Sequence, residues 1–417
     1  MNILIKAATI IDSDSEHHGT QKDIRIRDGV IITIGDKLIP QKEETLIERE
    51  DLHVSQGWFD TSVSMGQPGY EERETIENGL KVAAASGFTG VALNPNTNPI
   101  IDTSSDVTFA KKMAEGALTD LYPIGALTRN SESVDLAELY DMQQSGAIAF
   151  GDYQVPVSNP NLLKIALQYT QGFDGLVLSF PQENKIAGKG MMHEGEASTR
   201  VGLKGIPAIA ESLQIARDLH ILDYTGGSLH IPTISTAEAV TLIKQAKEKS
   251  LDVSCSVAIH NLFFEDTKLE DFNTNYKVLP PLRSNSHRKA LIEGVKNGTI
   301  DTVTSDHNPV DIERKHVEFD NAEYGVVSQE ATFRALLTLV SCKRAVALLT
   351  AGRKRFTNES FPIKENKKAN LTLFTTKGKE TFKLKDVKSK SKNAIFLNED
   401  LKGSIYGVIA NNQLELN

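Results

Sequence analysis

Asp306 closes the apolar run Thr302-Val303-Thr304 and is followed at once by His307. A carboxylate at a strand end can act as a general base, and a second one can share the acid–base work. Asp152, in GDYQVPV, is the candidate second carboxylate. The expected role of each is the plainer one, a carboxylate hydrogen-bonded at a loop or helix start. His193, His260 and His307 carry imidazoles that could bind a transition metal. His193 and His260 lie in loop-like contexts and His307 abuts Asp306, so structural roles are expected for all three. Ser62 and Ser64, two apart on a strand-like run, place both hydroxyls on one face, but a neutral hydroxyl is a poor zinc ligand. By the same alternation Leu229, Ile231 and Thr233 share a face and His230 points the other way. Asn96 sits in Pro-Asn-Thr-Asn-Pro, where a side-chain amide often fixes the turn, and turn support is its expected role.

The elements that would position these residues follow a repeating order. Ile76 to Ser86 reads as a helix with Gly87 as its C-cap, and Val91-Ala92-Leu93 as a buried strand. Ser235 with Glu238 predicts a capping box, ahead of a helical stripe of Val240, Ile243 and Ala246. Asp252 to Val257 is the next strand, and helix Arg288–Lys296 leads to strand Thr302–Thr304. Alternation of this kind from about Trp58 to Val340 indicates a parallel α/β domain whose size suits a TIM (β/α)₈ barrel. A doubly wound open sheet is the alternative, but no Gly-rich dinucleotide loop follows an early strand.

Both ends of the chain read as strands. In DIRIRDGVIITIG, alternating isoleucines flank Asp28-Gly29, a hairpin signal, and NLTLFTT and GSIYGVIANNQLELN look alike near the C-terminus. The expected division is a β-sandwich composed of residues 1–54 and 346–417, and a barrel of residues 55–345. The basic run KGKETFKLKDVKSKSK is expected to be a solvated surface of the terminal module.

Composition bounds the partners. The chain has 417 residues, 40% hydrophobic and 24% charged, with a net charge of -9. That charge argues against nucleic acid, and no apolar run is long enough to cross a membrane. The N-terminus lacks the order of a signal peptide. Cys255 and Cys342 fit no zinc or disulfide spacing, so a reducing cytoplasm is the expected location.

Several segments, in order, resemble the type I dihydroorotases of the cyclic amidohydrolase superfamily. GWFDTSVSMGQPG stands where that family has G-x-x-D-x-H-V-H-x-R-x-P-G, and SGFTGVALNPNTNP is similar to its G-G-F-T-x-V-x-x-M-P-N-T-x-P stretch. GAIAFGDYQVPV, MMHEGEASTRVGLKGIPAIAES, LHIPTISTAEA and the block from YKVLPPLRS to SDHNPV resemble the family's later motifs. The resemblance implies a TIM barrel with a β-sandwich from both termini. It also implies reversible ring closure of N-carbamoyl-L-aspartate to dihydroorotate, driven by zinc that ionises water and polarises the carbonyl.

Carried over residue by residue, the resemblance implies a depleted site. The family's metal-binding histidines correspond to Ser62, Ser64, Phe180 and Thr233, and the last histidine of its closing motif to Val310. The arginine that would grip a substrate carboxylate corresponds to Gly66. Asp306 matches a metal ligand and general base, Asp152 the first aspartate of an Asp-Asp-Gly group, and Asn96 a substrate-binding asparagine. Asp60 keeps its place ahead of the missing histidines. Even an outer-shell change can lower metal affinity roughly ten- to a hundred-fold, so loss of these imidazoles implies that no zinc is held. The expectation is a non-catalytic homologue with a structural or regulatory role in pyrimidine biosynthesis. A homodimer is expected, and association with aspartate transcarbamoylase is the natural assembly. The competing readings are an active amidohydrolase that retains zinc in an altered site or works without metal through Asp306 and Asp152, and a small-molecule binding protein that reuses the barrel mouth.

Overall fold

The computed structural model describes residues 1–417. The N-terminal strands are β1 (Asn2–Ile10), β2 (Gln21–Arg27), β3 (Val30–Gly35), β4 (Thr45–Ile47) and β5 (His53–Gln56). Asp28 and Gly29, with φ of 46° and 76°, make the tight turn between β2 and β3 that the sequence announces. β1 bulges near Ala7, whose φ is 49°. Beyond the bulge its free edge changes partner, pairing with β4 through Ile3–Ile5 and with β5 through Thr9 and Ile10. A bulge bends its strand and increases the local twist, which splays this sheet into two layers around Ile3, Ile5, Ile24, Ile26 and Leu371.

The barrel strands are β6 (Trp58–Val63), β7 (Phe88–Leu93), β8 (Asp120–Gly125), β9 (Ala149–Phe150) and β10 (Leu176–Leu178), then β13 (Ser228–Ile231), β14 (Val253–Ala258) and β15 (Thr302–Thr304). The short pair β11 (Met192–His193) and β12 (Gly205–Ile206) is an excursion between β10 and β13. The eight barrel strands pair in parallel in that order. Closure comes from a parallel bridge between Val63 and His307, where the Ser64 N–H donates to the His307 carbonyl at 2.7 Å. Strand alternation divides the apolar residues. Phe59, Ala92, Ile124, Ala149, Leu176 and Leu178 fill the axis, while Val91, Val177, Leu229, Ile231 and Val257 pack outward against the helices. Each large side chain so buried contributes about 1.5–3 kcal/mol.

The first barrel helix, Ile76–Ala85, starts where Thr75 accepts a hydrogen bond from the Asn78 N–H. It ends before Gly87, whose φ is 91° and whose Cα lies so close to the Trp58 ring that a Cβ would sit 2.6 Å from it. Helix Cys342–Thr357 spans the expected domain boundary at 345/346 and sends Phe356 into the barrel floor. The chain then completes the terminal sheet with β16 (Leu371–Thr381), β17 (Asp400–Ala410) and β18 (Gln413–Leu416), the last two joined through Asn411 and Asn412 with φ of 50° and 57°. No helix is long and apolar enough to cross a membrane.

Two expectations about local structure outside the site fail. The capping box at Ser235–Glu238 does not form: Thr236 is the N-cap, accepting from the Ala239 N–H at 3.2 Å. Ser235 is drawn away by the buried Glu211, which takes both its N–H and its hydroxyl. The basic run is more than a solvated surface. Its lysines are exposed, but Phe382 and Val387 are buried in the barrel-side core. Its backbone is tied to the barrel by Glu330, which accepts from Lys388 and Ser389, and by Glu74, which accepts from Ser389 and Lys390.

Candidate functional site

At the C-terminal end of the barrel strands, Ser62 leaves β6 pointing at Asp306. Its hydroxyl donates to Asp306 Oδ1 at 2.9 Å, and the Tyr153 hydroxyl donates to the same oxygen at 3.3 Å. Asn94, just past β7, bridges both strand-end serines: its Nδ2 lies 3.1 Å from Ser62 Oγ and 3.1 Å from Ser64 Oγ. Behind this group Asp60 ties the first barrel strand to the last. It accepts from Thr304 Oγ1 at 2.5 Å, the Ser305 N–H at 3.1 Å, the Ser305 hydroxyl and Gln329 Nε2 at 3.1 Å.

Burial sets the charge states. Removal from water pushes Asp306 up to about 7, against the hydrogen bonds from Ser62 and Tyr153 and with help from the nearby Asp60. Asp60 and Asp152 are raised by burial as well. The Tyr153 hydroxyl is raised by burial and by the Asp306 charge, so it stays a donor. The backbone here is strained. Asp306, Tyr153 and Thr233 have φ of 47°, 55° and 49°, a region that costs a non-glycine residue roughly 1–2 kcal/mol. Such residues cluster at functional sites.

What these residues enclose is small. A cavity of ≈ 20 Å³, room for about one water, is lined by Ser62, Asn94, Asp152, Tyr153, Phe180 and Thr233. Phe180 is buried and packs on Ala187, Ile206, Ala210 and Leu279. The Asp152 carboxylate faces Thr128, whose N–H and hydroxyl it accepts at 3.0 and 2.6 Å. Asp152 and Asp306 therefore share no hydrogen-bond partner, and the structure gives no support to a joint acid–base pair.

Zinc does not fit this donor set. The positions that would supply imidazole carry hydroxyls or a phenyl ring, and the remaining carboxylates are committed to Thr128, Ser62 and Tyr153. No group of three or more His, Cys, Asp or Glu side chains is placed to hold a metal. The other candidate histidines are buried in the fold, although neither ring nitrogen of His260 nor Nε2 of His307 has a hydrogen-bond partner. His193 lies in β11 and not in a loop, where its Nδ1 meets Arg283 at 3.2 Å, and burial pushes it down to about 3. His260 lies in helix Ile259–Phe263, again not a loop, and is likewise pushed down to about 3 by burial. His307 sits buried beside Ser328 and is lowered in the same way.

Other side chains sit differently from their expected places. His230 does point away from Leu229 and Ile231, but Thr233 does not share their face. β13 ends at Ile231, and after Pro232 the left-handed turn at Thr233 brings that residue to the axial cavity. His230 lies beneath it, between Ser254 Oγ at 2.9 Å and Ser256 Oγ at 3.2 Å, and Ser256 also accepts the Thr233 N–H. Asn96 does not hold its turn: its buried Oδ1 has no partner, and Thr97 makes the bond to the Pro99 carbonyl at 2.8 Å. Val310 is buried away from the cavity, its N–H donated to Asn393 Oδ1 at 3.3 Å. Asn94 and the reach of Tyr153 are the site contacts that sequence reasoning missed. Neither has a local signal, because each partner is remote in sequence.

At Gly66 the backbone leaves no room for a side chain. Gly66 N–H donates to the Glu74 carbonyl and its own carbonyl accepts from Tyr70. A Cβ at Gly66 would lie 1.8 Å from the Tyr70 carbonyl oxygen. The substitution Gly66→Arg is therefore expected to destabilise the chain by about 3 kcal/mol or more through overpacking, without restoring a carboxylate grip. A urea midpoint equal to the parent's would contradict this.

A family model described as dihydro-orotase-like matches residues 53–239. A dihydroorotase of Pelotomaculum thermopropionicum is 40% identical over 330 residues, covering 79% of this chain and 77% of the relative. A dihydroorotase of Acetivibrio thermocellus is 34% identical over 417 residues, covering 98% of this chain and 97% of the relative. Among solved structures, the L-hydantoinase (dihydropyrimidinase) from Arthrobacter aurescens matches with a TM-score of 0.87 at 21% identity, over 100% of this chain and 97% of that one. The D-hydantoinase from Thermus sp. matches at 0.82 and 20% identity, over 100% and 95%. At those identities the structures bear on the fold alone, the amidohydrolase barrel with its β-sandwich.

Proposed function

The chain belongs to the dihydroorotase family, and from that premise we propose that it is a non-catalytic member serving pyrimidine biosynthesis through its fold. The observation that carries this reading is the Ser62–Asp306–Tyr153 cluster. Hydroxyls satisfy the carboxylate that a metal would otherwise use, and the remaining space is of water size. Ring opening of a cyclic amide near neutral pH needs an ionised nucleophile and a polarised carbonyl. Asp306, at about 7 and tied to the hydroxyls of Ser62 and Tyr153, is a poor source of such a nucleophile, and the cavity that those two residues line has the volume of about one water. The structural role we assign is support of an assembly, as a homodimer in the cytoplasm and with aspartate transcarbamoylase as the partner.

Purified chain supplied with zinc is expected to hold well under one equivalent after desalting and to show no turnover of dihydroorotate or N-carbamoyl-L-aspartate. Stoichiometric metal with turnover would overturn the proposal. Co-elution with aspartate transcarbamoylase on a sizing column tests the partner, and separate elution at micromolar concentrations would remove it.

A further inference from the structure

Away from the axial cavity, the loop after β15 and the strap 387–393 enclose a second cavity of ≈ 300 Å³. Its lining includes Lys315, His316, Lys392, Thr274 and Asn275, and contains no carboxylate. Lys315 is only 3% exposed, and so is its neighbour Lys277. Every hydrogen-bond partner of these ammonium groups is a backbone carbonyl. Lys315 donates to Lys277 and Glu323, Lys277 to Phe319 and Asp320, and Lys392 to Val387 and Ser389. Of the nearby acids, Asp311 caps the following helical turn through Oδ1, Glu323 pairs with Arg314 and Arg73, and Asp320 favours the Lys277 charge without a hydrogen bond to it. Buried cations with no carboxylate in hydrogen-bond contact are costly, which applies to Lys315 and Lys277, whereas Lys392 is exposed. Consistent with that, burial first and Lys277 second push Lys315 down to about 7. Each ammonium has three donors, and two are used. The side chains of Thr274, Asn275 and His316, by contrast, make no hydrogen bond within the chain and stand free at the cavity wall.

We propose that this cavity binds a phosphate-sized oxyanion, with Lys315 and Lys392 supplying the charge and Thr274, Asn275 and His316 the remaining hydrogen bonds. The ion is a free phosphate or the phosphate end of a monoester, since both present the same tetrahedral oxygens.

Calorimetric titration of the full chain with inorganic phosphate, in chloride buffer at fixed ionic strength, tests this. Saturable binding at one site per chain is expected. It should weaken about tenfold in Lys392→Gln, the effect of losing one charge-assisted hydrogen bond. His316→Gln is a second variant, from a solvent-facing loop, should Lys392→Gln fail to fold. Glycerol phosphate binding more tightly than phosphate would identify a monoester, and the reverse order a free ion; either supports the site. Absence of saturation, unchanged affinity in both variants, or equal binding of acetate would overturn it.

Discussion

Replacement of Asp306 by asparagine is expected to stabilise the chain by up to about 4 kcal/mol at roughly pH 8 and to change little near pH 4. The sign follows from the direction of the shift. Burial raises the folded-state value of this carboxylate from the ordinary 3.8 to about 7. The folded state therefore holds the proton more tightly than the unfolded chain does. Its stabilising contribution is fully present below about pH 4, declines as pH rises between about 4 and 7, and is gone above the folded value. Asparagine does not titrate, and its Oδ1 can still accept from Ser62 and Tyr153. Asp60 and Asp152 are also raised by burial, but they are common to both chains and cancel to first order in the difference. Urea midpoints for the two chains across this range should converge at low pH and diverge at high pH. Parallel curves would mean that Asp306 is ionised throughout and that the hydroxyls around it suffice.

The fold was legible because its signals are local and repeated. Asp28-Gly29 and the alternating isoleucines around it can form little but a hairpin, and the strand–helix alternation from Trp58 onward repeats often enough to survive local misreadings. The failures mark where a distant group overrules a local pattern. Ser235 and Glu238 satisfy the spacing of a capping box, yet Glu211, remote in sequence, offers Ser235 a buried charged acceptor, and the cap moves to Thr236. The terminal lysine run looks like open surface by composition. Its register, however, buries Phe382 and Val387 and lets Glu74 and Glu330 grip the backbone.

The candidate site was legible in its positions and not in its contacts. The resemblance brought Ser62, Asp152, Phe180, Thr233 and Asp306 to one place, and except for Asp306 all of them line the same cavity. What fills the space could not be read from the chain. Tyr153 reaches Asp306 across the barrel because its own backbone is left-handed, and no neighbour in sequence signals that conformation. Thr233 was misplaced for a related reason: alternation holds only while the strand continues, and β13 ends before Pro232.

Loss of the Glu211 carboxylate in Glu211→Ala is expected to cost about 3–5 kcal/mol, in the opposite direction to the change at Asp306. Glu211 is buried and accepts the N–H and hydroxyl of Ser235 and the N–H and hydroxyl of Thr236, the last two both at 2.9 Å. Arg283 Nη2 lies 3.7 Å away, and the same guanidinium donates to Ser235 Oγ at 3.0 Å and to the Ile206 carbonyl at 2.7 Å. Alanine would strand these donors and leave a buried arginine without its anion. The cost is mainly that of the uncompensated cation, so Arg283→Met in the Glu211→Ala background should recover part of the loss. The double-mutant cycle isolates the coupling, expected at about 1–3 kcal/mol. Additive losses would assign the stability to the Ser235 and Thr236 hydrogen bonds instead. Because this network fixes the loop that carries Thr233, it keeps the barrel mouth in shape without touching the axial cavity.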